Sequence, residues 1–310
     1  MKLRGTEFGN VLGASGVQGF FGEGYWYHRD LEPLGLDFRD VTFVSKTTTL
    51  HPNKGNMPLM KNFTPKEWFP SCIYVNFWRG YALNSVALSG PGAMALFETG
   101  LWQARQKPFF ISFMSIAASA EERTTELKGF VELFAKYLPG MSAKVGLQIN
   151  YSCPNTGLHL ETLLEEVNDG LNIASELDIP LVPKFNLLMP IETAKEISER
   201  KFCDALCISN TIPYGQLPEK IDWQKLFGSK SPLAKYGGGG LSGRLLLPLL
   251  LSWLDKAHYA DIRKPINAGG GILSLEDAKM VFVHGADSIF LGSIAFLRPW
   301  RVAKIARVLK

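Results

Sequence analysis

Eight short apolar runs, separated by helix-like or loop segments, constrain the fold of this chain most strongly. The runs are mostly continuous in apolar residues, which is typical of parallel strands buried on both faces. Eight such strands alternating with helices predict an α/β fold, a (β/α)8 TIM barrel. The alternative is a doubly wound open sheet, but no G-x-G-x-x-G follows the first run, which counts against a dinucleotide-binding fold. The predicted strands are residues 10–14, 41–46, 108–115, 145–151, 181–185, 205–210, 265–268 and 288–291.

Several segments between the runs have helical periodicity. Residues 158–177 set apolar side chains against acidic ones, residues 190–200 begin with proline, and Ser274 is placed to cap a helix. Two stretches, 47–107 and 212–243, do not fit the alternation and are expected to be long loop insertions. Long excursions in a barrel usually build the active face or a subunit contact.

Size and composition suit one barrel domain over residues 1–310, since α/β barrels reach this length. The formal net charge of +4 suits anionic small ligands and is too small to indicate nucleic-acid binding. The first ten residues lack the apolar segment of a signal peptide, and the longest apolar stretch, 245–254, is too short to span a bilayer. The four cysteines have neither zinc-site spacing nor a pattern that demands disulfides. We therefore expect a cytoplasmic protein with no metal centre and no membrane span.

The fourth run passes into a loop with the most reactive side chains of the chain, N-Y-S-C-P-N-T-G at 150–157. The amides of Asn150 and Asn155 can read a flat heterocycle through both donors and acceptors. The thiol of Cys153 can act as a base or nucleophile once its pKa is lowered. The alternative is that Cys153 is a buried hydrophobe and that both asparagines form turns.

Polar residues also end other apolar runs, and the carboxyl ends of barrel strands meet on one face. Lys46 ends the second run and Lys184 the fifth. A buried ammonium is costly unless it meets a partner, so each lysine either forms a structural pair or faces a ligand. A reduced flavin carries negative charge near its N1 and O2, which a neighbouring lysine would stabilise.

Glycines follow the last two runs, at 269–271 and at Gly292, which precedes Ser293. Bare backbone N–H groups can approach a phosphate closely, and the helix that begins after Ser274 would add its dipole. This is the usual phosphate site of the barrel. Tight turns are the alternative. Residues 237–240, four consecutive glycines, add another flexible backbone stretch.

In this order and with these gaps, the motifs resemble the dihydroorotate dehydrogenase family over nearly the whole length of the chain. The matching segments are residues 10–16, 45–50 with 55–56, 84–88, 150–155, Lys184, 209–211, 239–244, 269–272 and 291–293.

The resemblance implies an FMN enzyme that oxidises dihydroorotate to orotate in pyrimidine synthesis. Cys153 would be the base that removes the C5 proton, and hydride from C6 would pass to N5 of FMN, with Lys46 between flavin and substrate. The implied substrate-binding residues are Lys46, Asn84, Leu88, Asn150, Asn155, Asn210 and Thr211. The implied FMN-binding residues are Ala14, Ser15, Gly16, Lys46, Asn150, Lys184, Ser209, Gly240, Gly243, Gly270, Gly271, Gly292 and Ser293.

Lys46 and Cys153 are features of the soluble members, so the resemblance is to the class 1 enzymes and implies a homodimer. The sequence leaves the electron acceptor open among fumarate, a quinone, and NAD through a separate subunit. The family's substrate loop usually reads N-S-x-G-L-P-N, whereas this chain has Ala87 at the glycine and Gly90 in place of the last amide. A flavin enzyme for another dihydropyrimidine, or a non-redox phosphate-binding isomerase or lyase, therefore stays an alternative. The aromatic segment 20–28 has no assigned role.

Overall fold

The structure is a computed structural model that describes residues 1–151 and 160–310. The strands in these ranges are β1 (Lys2–Leu3), β2 (Thr6–Glu7), β3 (Val11–Gly13), β4 (Ile73–Asn76), β5 (Tyr81–Asn84), β6 (Phe109–Phe113), β7 (Val145–Asn150), β8 (Leu181–Phe185), β9 (Leu206–Ile208), β10 (Ile212–Pro213), β11 (Gly240–Gly243), β12 (Ile266–Ala268) and β13 (Ser288–Leu291). The α-helices are α1 (Trp26–Leu31), α2 (Ala93–Glu98), α3 (Ala120–Tyr137), α4 (Leu160–Ala174), α5 (Ile191–Ser198), α6 (Trp223–Phe227), α7 (Leu247–Tyr259), α8 (Leu275–Val283), α9 (Ile294–Leu297) and α10 (Val302–Leu309).

Seven strands form a parallel sheet in the order β3-β13-β12-β9-β8-β7-β6. The segment 42–48 closes this sheet into a barrel, because it bridges both edge strands in parallel. Thr42 pairs with Leu12 of β3, and Val44 pairs with Phe110 of β6. Backbone hydrogen bonds extend this closure on both sides, from Gly13 N–H to Thr42 O at 2.9 Å and from Ser45 N–H to Phe110 O at 2.9 Å. The predicted barrel is confirmed, and the predicted bounds of β8 and β13 are those observed.

The barrel is filled at its amino-terminal end by the first residues of the chain. Phe8 lies against Phe110 with ring centroids 4.3 Å apart, and Met1 and Leu3 pack in the same cluster with Leu12. A second core, rich in phenylalanine, fills the space between the sheet and the helices. Continuous apolar runs are needed because both faces of each strand are covered in this way.

The starts of three helices have identifiable signals, and those at Pro190 and Ser274 are the ones predicted from the sequence. Ser119 caps α3, where it forms a capping box with Glu122. Ser274 caps α8 by accepting a hydrogen bond from the backbone N–H of Asp277. Pro190 precedes the first turn of α5. None of the helices in the described ranges is long and apolar enough to cross a membrane.

The two excursions, expected to be loops, contain a second sheet. Four antiparallel strands lie in the order β10-β11-β5-β4. Two of them come from the excursion before β6 and two from the excursion after β9. Each strand has four residues or fewer, so no period-2 pattern is long enough to detect in the sequence. This sheet joins stretches that are about 150 residues apart.

Tyr151, the last described residue before the reactive loop, packs against the middle of α4. Its ring stacks on Phe185 with centroids 5.8 Å apart. A Cβ at Gly170 of α4 would lie 2.2 Å from the Tyr151 hydroxyl oxygen. That hydroxyl is buried and meets no hydrogen-bond partner among the described residues, and burial raises its pKa. Glycine is therefore required here by the close approach of a tyrosine.

We predict that Gly170→Ala lowers the free energy of unfolding by about 1–3 kcal/mol, because the new methyl group overlaps the tyrosine hydroxyl. This is the opposite of the usual helix-interior effect, in which alanine is favoured over glycine by about 1 kcal/mol. In a Tyr151→Phe background most of the loss should be recovered. Urea denaturation of the four proteins of this double-mutant cycle measures the coupling, and a cycle that is simply additive would contradict the assigned contact.

Candidate active site

Most of the residues predicted for the site lie at the carboxyl ends of the barrel strands and on the adjoining part of the second sheet. Lys46, Asn150, Lys184 and Ser209 are buried. Around them lies a half-buried rim, which a ligand could reach, made of Ala14, Ser15, Gly16, Asn84, Leu88, Asn210, Thr211, Gly240, Gly270, Gly292 and Ser293. Gly243 and Gly271 are buried next to this rim. Cys153 and Asn155 lie outside the described residues.

Two carboxamides at the barrel mouth, those of Asn150 and Asn210, are positioned by the strands that precede them. Asn150 of β7 lies directly opposite Lys184 of β8. The Asn210 side-chain N–H donates to Asn150 Oδ1 at 3.5 Å, and Asn210 Oδ1 accepts from the Thr211 backbone N–H at 2.8 Å. The result is a row of amide groups that crosses the ends of β7 and β9.

The second sheet adds Asn84 to this row. Gly240 pairs with Asn84 across β11 and β5, and with Pro213 of β10 on its other side. A Cβ at Gly240 would lie 2.2 Å from Thr211 Oγ1. Only glycine at position 240 lets the second sheet approach the end of β9 this closely, which brings Asn84 and Thr211 to one site.

The loop after Asn84 has an unusual backbone. Ala87 and Leu88 both have positive φ, 53° and 54°. Left-handed backbone is unfavourable for residues with a Cβ, and it is most common where a structure needs it for function. Successive N–H groups in such turns form concavities that bind anions. Asn53 holds this loop from outside, because its side chain donates to Ala87 O at 2.8 Å.

Lys46 joins the barrel to this same loop. Its ammonium donates a hydrogen bond to the backbone oxygen of Ser89 and lies 4.9 Å from the ring centroid of Phe20. No carboxylate within the described residues forms a salt bridge with it. Burial lowers the pKa of Lys46 to about 8, while Glu23 and Cys72 act in the opposite direction. A positive charge held here favours an anionic ligand.

Lys184 lies deeper in the barrel. Its ammonium donates to Ser15 Oγ at 3.3 Å and lies 5.3 Å from the ring centroid of Phe290. Thr47 Oγ1 donates to the same Ser15 oxygen at 3.2 Å. Burial lowers the pKa of Lys184. Ser15 thus contacts both lysine-bearing segments, Lys184 directly and the segment 42–48 through Thr47. These two contacts explain the serine at this position, just after β3 and Ala14.

The glycine-rich ends of β11, β12 and β13 form a backbone cradle. A Cβ at Gly271 would lie 2.6 Å from the backbone nitrogen of Leu247, and one at Gly292 would lie 3.1 Å from Ala14 Cβ. The backbone N–H groups of Gly270, Gly271, Gly292 and Ser293 donate no hydrogen bond within residues 1–151 and 160–310. Donors left over at the ends of two adjacent strands are the chemistry that a phosphate needs.

Comparison with known proteins agrees with this architecture. A family model described as dihydroorotate dehydrogenase matches residues 1–310. The chain belongs to the dihydroorotate dehydrogenase family. Dihydroorotate dehydrogenase A (fumarate) of Lacticaseibacillus paracasei is 28% identical over 314 residues, which cover 99% of this chain and 95% of that protein. The catalytic subunit of dihydroorotate dehydrogenase B (NAD(+)) of Geobacillus sp. is 28% identical over 308 residues, which cover 97% of this chain and 86% of that protein.

Membership of the dihydroorotate dehydrogenase family implies a flavin cofactor. The two relatives differ in the electron acceptor that their names state, yet they are equally identical to this chain. Overall similarity therefore does not assign an acceptor. Among the described residues, no group of three or more His, Cys, Asp or Glu is arranged to hold a metal ion.

The structure also contains a polar layer inside the barrel that the sequence interpretation missed. Ser112, Gln148, Cys207, Asn267 and Ser288 are buried, and each lies on a different barrel strand. Contacts run from Ser112 to Gln148 at 3.4 Å, on to Cys207 at 3.5 Å and to Asn267 at 3.5 Å, and Asn267 then donates to Ser288 at 2.8 Å. One polar residue within each apolar run is the sequence signal that could have revealed this layer.

Lys46→Met should raise the free energy of unfolding of the flavin-free protein at pH 7 by about 2 kcal/mol. Lys46 has a folded pKa of about 8 against an ordinary 10.5, so the unfolded chain binds more protons between these values. The cost of the buried charge is therefore fully present below pH 8 and is relieved as pH rises above it. Denaturation at pH 7 and pH 10 should show the advantage of methionine shrinking at the higher pH.

The exposed Lys54→Met is the matched control and should change stability at neither pH. A less stable Lys46→Met protein at pH 7 would mean that the contacts of Lys46 with Ser89 and Phe20 outweigh its burial.

Proposed function

We propose that this chain oxidises (S)-dihydroorotate to orotate in de novo pyrimidine synthesis, as one FMN-binding barrel domain over residues 1–310. The observation that carries the proposal is the row of Asn84, Asn150, Asn210 and Thr211 beside two buried lysines. Amides suit a ring with alternating carbonyl and N–H groups, and the lysines suit a carboxylate and a reduced flavin.

The base in this proposal is Cys153. As a thiolate it removes the proton from C5 of dihydroorotate, while the electron pair of the C6–H bond leaves as hydride. Lys46 stands at the substrate loop and compensates negative charge on the ring and its carboxylate. Asn84, Asn150, Asn155, Asn210 and Thr211 orient the ring, and the backbone N–H of Leu88 donates to the carboxylate.

FMN is the proposed cofactor, and when bound it supplies the acceptor for the hydride from C6. The N–H groups of Gly270, Gly271, Gly292 and Ser293, which donate no hydrogen bond within the described part of the chain, support a terminal phosphate at the cradle. Lys184 and Ser15 support the pyrimidine end of the flavin. Ala14, Gly16, Ser209, Gly240 and Gly243 complete the proposed cofactor contacts.

The electron acceptor is proposed to be fumarate, a quinone, or NAD reached through a separate subunit. The names of the relatives support the first and the third. We propose a cytoplasmic location, which the three free cysteines of the described residues, Cys72, Cys203 and Cys207, support.

The proposed reaction predicts that the purified protein is yellow, releases FMN on denaturation, and bleaches on anaerobic addition of dihydroorotate. Cys153→Ser should retain FMN but slow bleaching at least about a hundredfold near pH 7, because an alkoxide is harder to form than a thiolate. Stopped-flow absorbance of the bound flavin measures the rate.

Cys203→Ser is the matched control. Cys203 is a buried thiol in the core between the sheet and the helices, and its Sγ contacts Ala205 O. It should bleach at the wild-type rate. A wild-type protein that holds flavin but is not bleached would reject dihydroorotate as substrate, and a fast Cys153→Ser protein would reject the base.

A second candidate is a flavin oxidoreductase for another dihydropyrimidine. It is favoured by the substrate loop, in which Ala87 occupies a left-handed position and Gly90 lacks a side chain. Under this alternative the wild-type flavin stays oxidised with dihydroorotate and bleaches with a dihydropyrimidine that lacks the carboxylate.

We also propose a homodimer. Large aromatic side chains on the first excursion support it, since Trp68, Phe69 and Trp78 are 70%, 80% and 95% exposed. Exposed large aromatic side chains are typical of an association surface. Sedimentation should give a dimer. Either the double variant Trp68→Ser/Phe69→Ser or the single variant Trp78→Ser should raise the dissociation constant of the dimer at least about tenfold. A wild-type monomer at micromolar concentration would reject the dimer.

A further inference from the structure

The turn that follows β3 folds directly over Lys46. The backbone N–H of Lys46 donates to Gly19 O at 2.8 Å. A Cβ at Gly16 would lie 3.5 Å from Lys46 Cγ. The turn therefore contacts both the backbone and the side-chain stem of the lysine, and the next residue, Phe20, reaches its ammonium.

Phe20 is held at every part of its structure. Its backbone N–H donates to Glu23 Oε1 at 2.8 Å, and its carbonyl oxygen accepts from Trp102 Nε1 at 2.7 Å. Its ring meets Phe63 edge to face, with centroids 6.1 Å apart, and it is fully buried. A fully buried ring fixed in this way has one position and supports the site from within the fold.

The same ring occupies the space beside Gly90. A Cβ at Gly90 would lie 3.1 Å from Phe20 Cζ and 3.7 Å from Cε1. Gly90 has no positive φ, so its backbone would accept a side chain. A methyl group there would press on the ring, which would have to move by a few tenths of an ångström. The absence of an amide at position 90 and the presence of Phe20 are thus one local arrangement.

The ammonium of Lys46 lies between this ring and the substrate loop. It faces Phe20 at 4.9 Å and donates to Ser89 O, one residue before Gly90. A cation over an aromatic ring is attracted by the ring's negative face, most strongly where water is excluded. The ring therefore favours the orientation in which the ammonium reaches Ser89.

We propose that Phe20 is a positioning residue, which holds the charged Lys46 side chain against the substrate loop and thereby fixes residues 84–90 over the barrel mouth. This inference rests on the proposed function for its kinetic consequence, but the positioning itself is a property of the chain without substrate. Phe20 acts through Lys46 and does not need to touch the substrate.

Two titratable groups act on the lysine besides the ring. Glu23 faces it from the same turn, and Cys72 faces it from the residue before β4. Loss of the aromatic face should shift Lys46 toward its neutral form at lower pH, whereas Glu23 and Cys72 stay in place. A pH profile therefore distinguishes positioning of the charge from general loosening of the fold.

The test compares Phe20→Leu, which keeps an apolar side chain without a π face, with Phe21→Leu. Phe21 is the adjacent ring and packs on Phe63 and Trp102, while the cation–π contact of Lys46 is with Phe20. Hydrogen–deuterium exchange of residues 84–90 in the substrate-free holoenzyme should rise at least about tenfold in Phe20→Leu and stay unchanged in Phe21→Leu.

Gly90→Ala is a second variant. Its methyl group presses on the Phe20 ring from the side of the substrate loop and opens no cavity. It should raise exchange in the same residues, and this covers the case in which Phe20→Leu does not fold. In flavin bleaching by dihydroorotate, Phe20→Leu should be about tenfold slower at pH 7, with its alkaline decline shifted about one pH unit lower.

Unchanged exchange of residues 84–90 in both Phe20→Leu and Gly90→Ala overturns the inference, whatever the substrate is. Equal effects of Phe20→Leu and Phe21→Leu on exchange also overturn it, because packing alone would then be the cause. Raised exchange specific to Phe20→Leu and Gly90→Ala supports it. A wild-type flavin that dihydroorotate does not bleach rejects the proposed function and leaves the exchange result to decide the positioning role.

Discussion

The burial of the Lys46 ammonium is the interaction on which the organisation of the site depends. A charged amine in a barrel mouth is unfavourable by several kcal/mol unless polar groups and ring faces replace its water. Here the replacements come from two separate parts of the chain, the ring of Phe20 in the turn after β3 and the backbone oxygen of Ser89 in the substrate loop after β5. Neither part is adjacent to the other or to Lys46 in the sequence, so the lysine ties the turn and the first excursion to the barrel.

The second sheet holds the substrate loop close to Lys46. The substrate loop is attached to the barrel through β5, whose partner β11 returns from the far excursion and pairs Gly240 with Asn84. Because Gly240 has no side chain, this pair can lie directly against Thr211 at the end of β9. The sheet thereby helps to place the loop that carries Ser89, whose backbone oxygen accepts from the ammonium of Lys46.

The sequence allowed the barrel and the approximate places of its strands to be predicted, because continuous apolar runs are local features, but only the bounds of β8 and β13 match and the predicted strand 41–46 pairs through isolated bridges. It did not allow the second sheet to be predicted, since β10 has two residues and its partner lies across a glycine-rich loop. The inner polar layer was missed for a related reason: Gln148 and Cys207 each look like an isolated exception within an apolar strand. Only the register of the barrel shows that they are neighbours.

The aromatic segment 20–28 shows most clearly that contacts between distant residues are not visible in the sequence. In the sequence, Phe20 and Gly90 are two unrelated departures, one an unassigned ring and the other a missing amide. In the structure, a Cβ at position 90 would lie 3.1 Å from Phe20 Cζ, and the ammonium of Lys46 lies against both the ring and Ser89. Two departures that lie far apart in the sequence therefore meet at one lysine. The ring is fully buried, so whatever it contributes to the choice of a ligand passes through the position of the Lys46 ammonium.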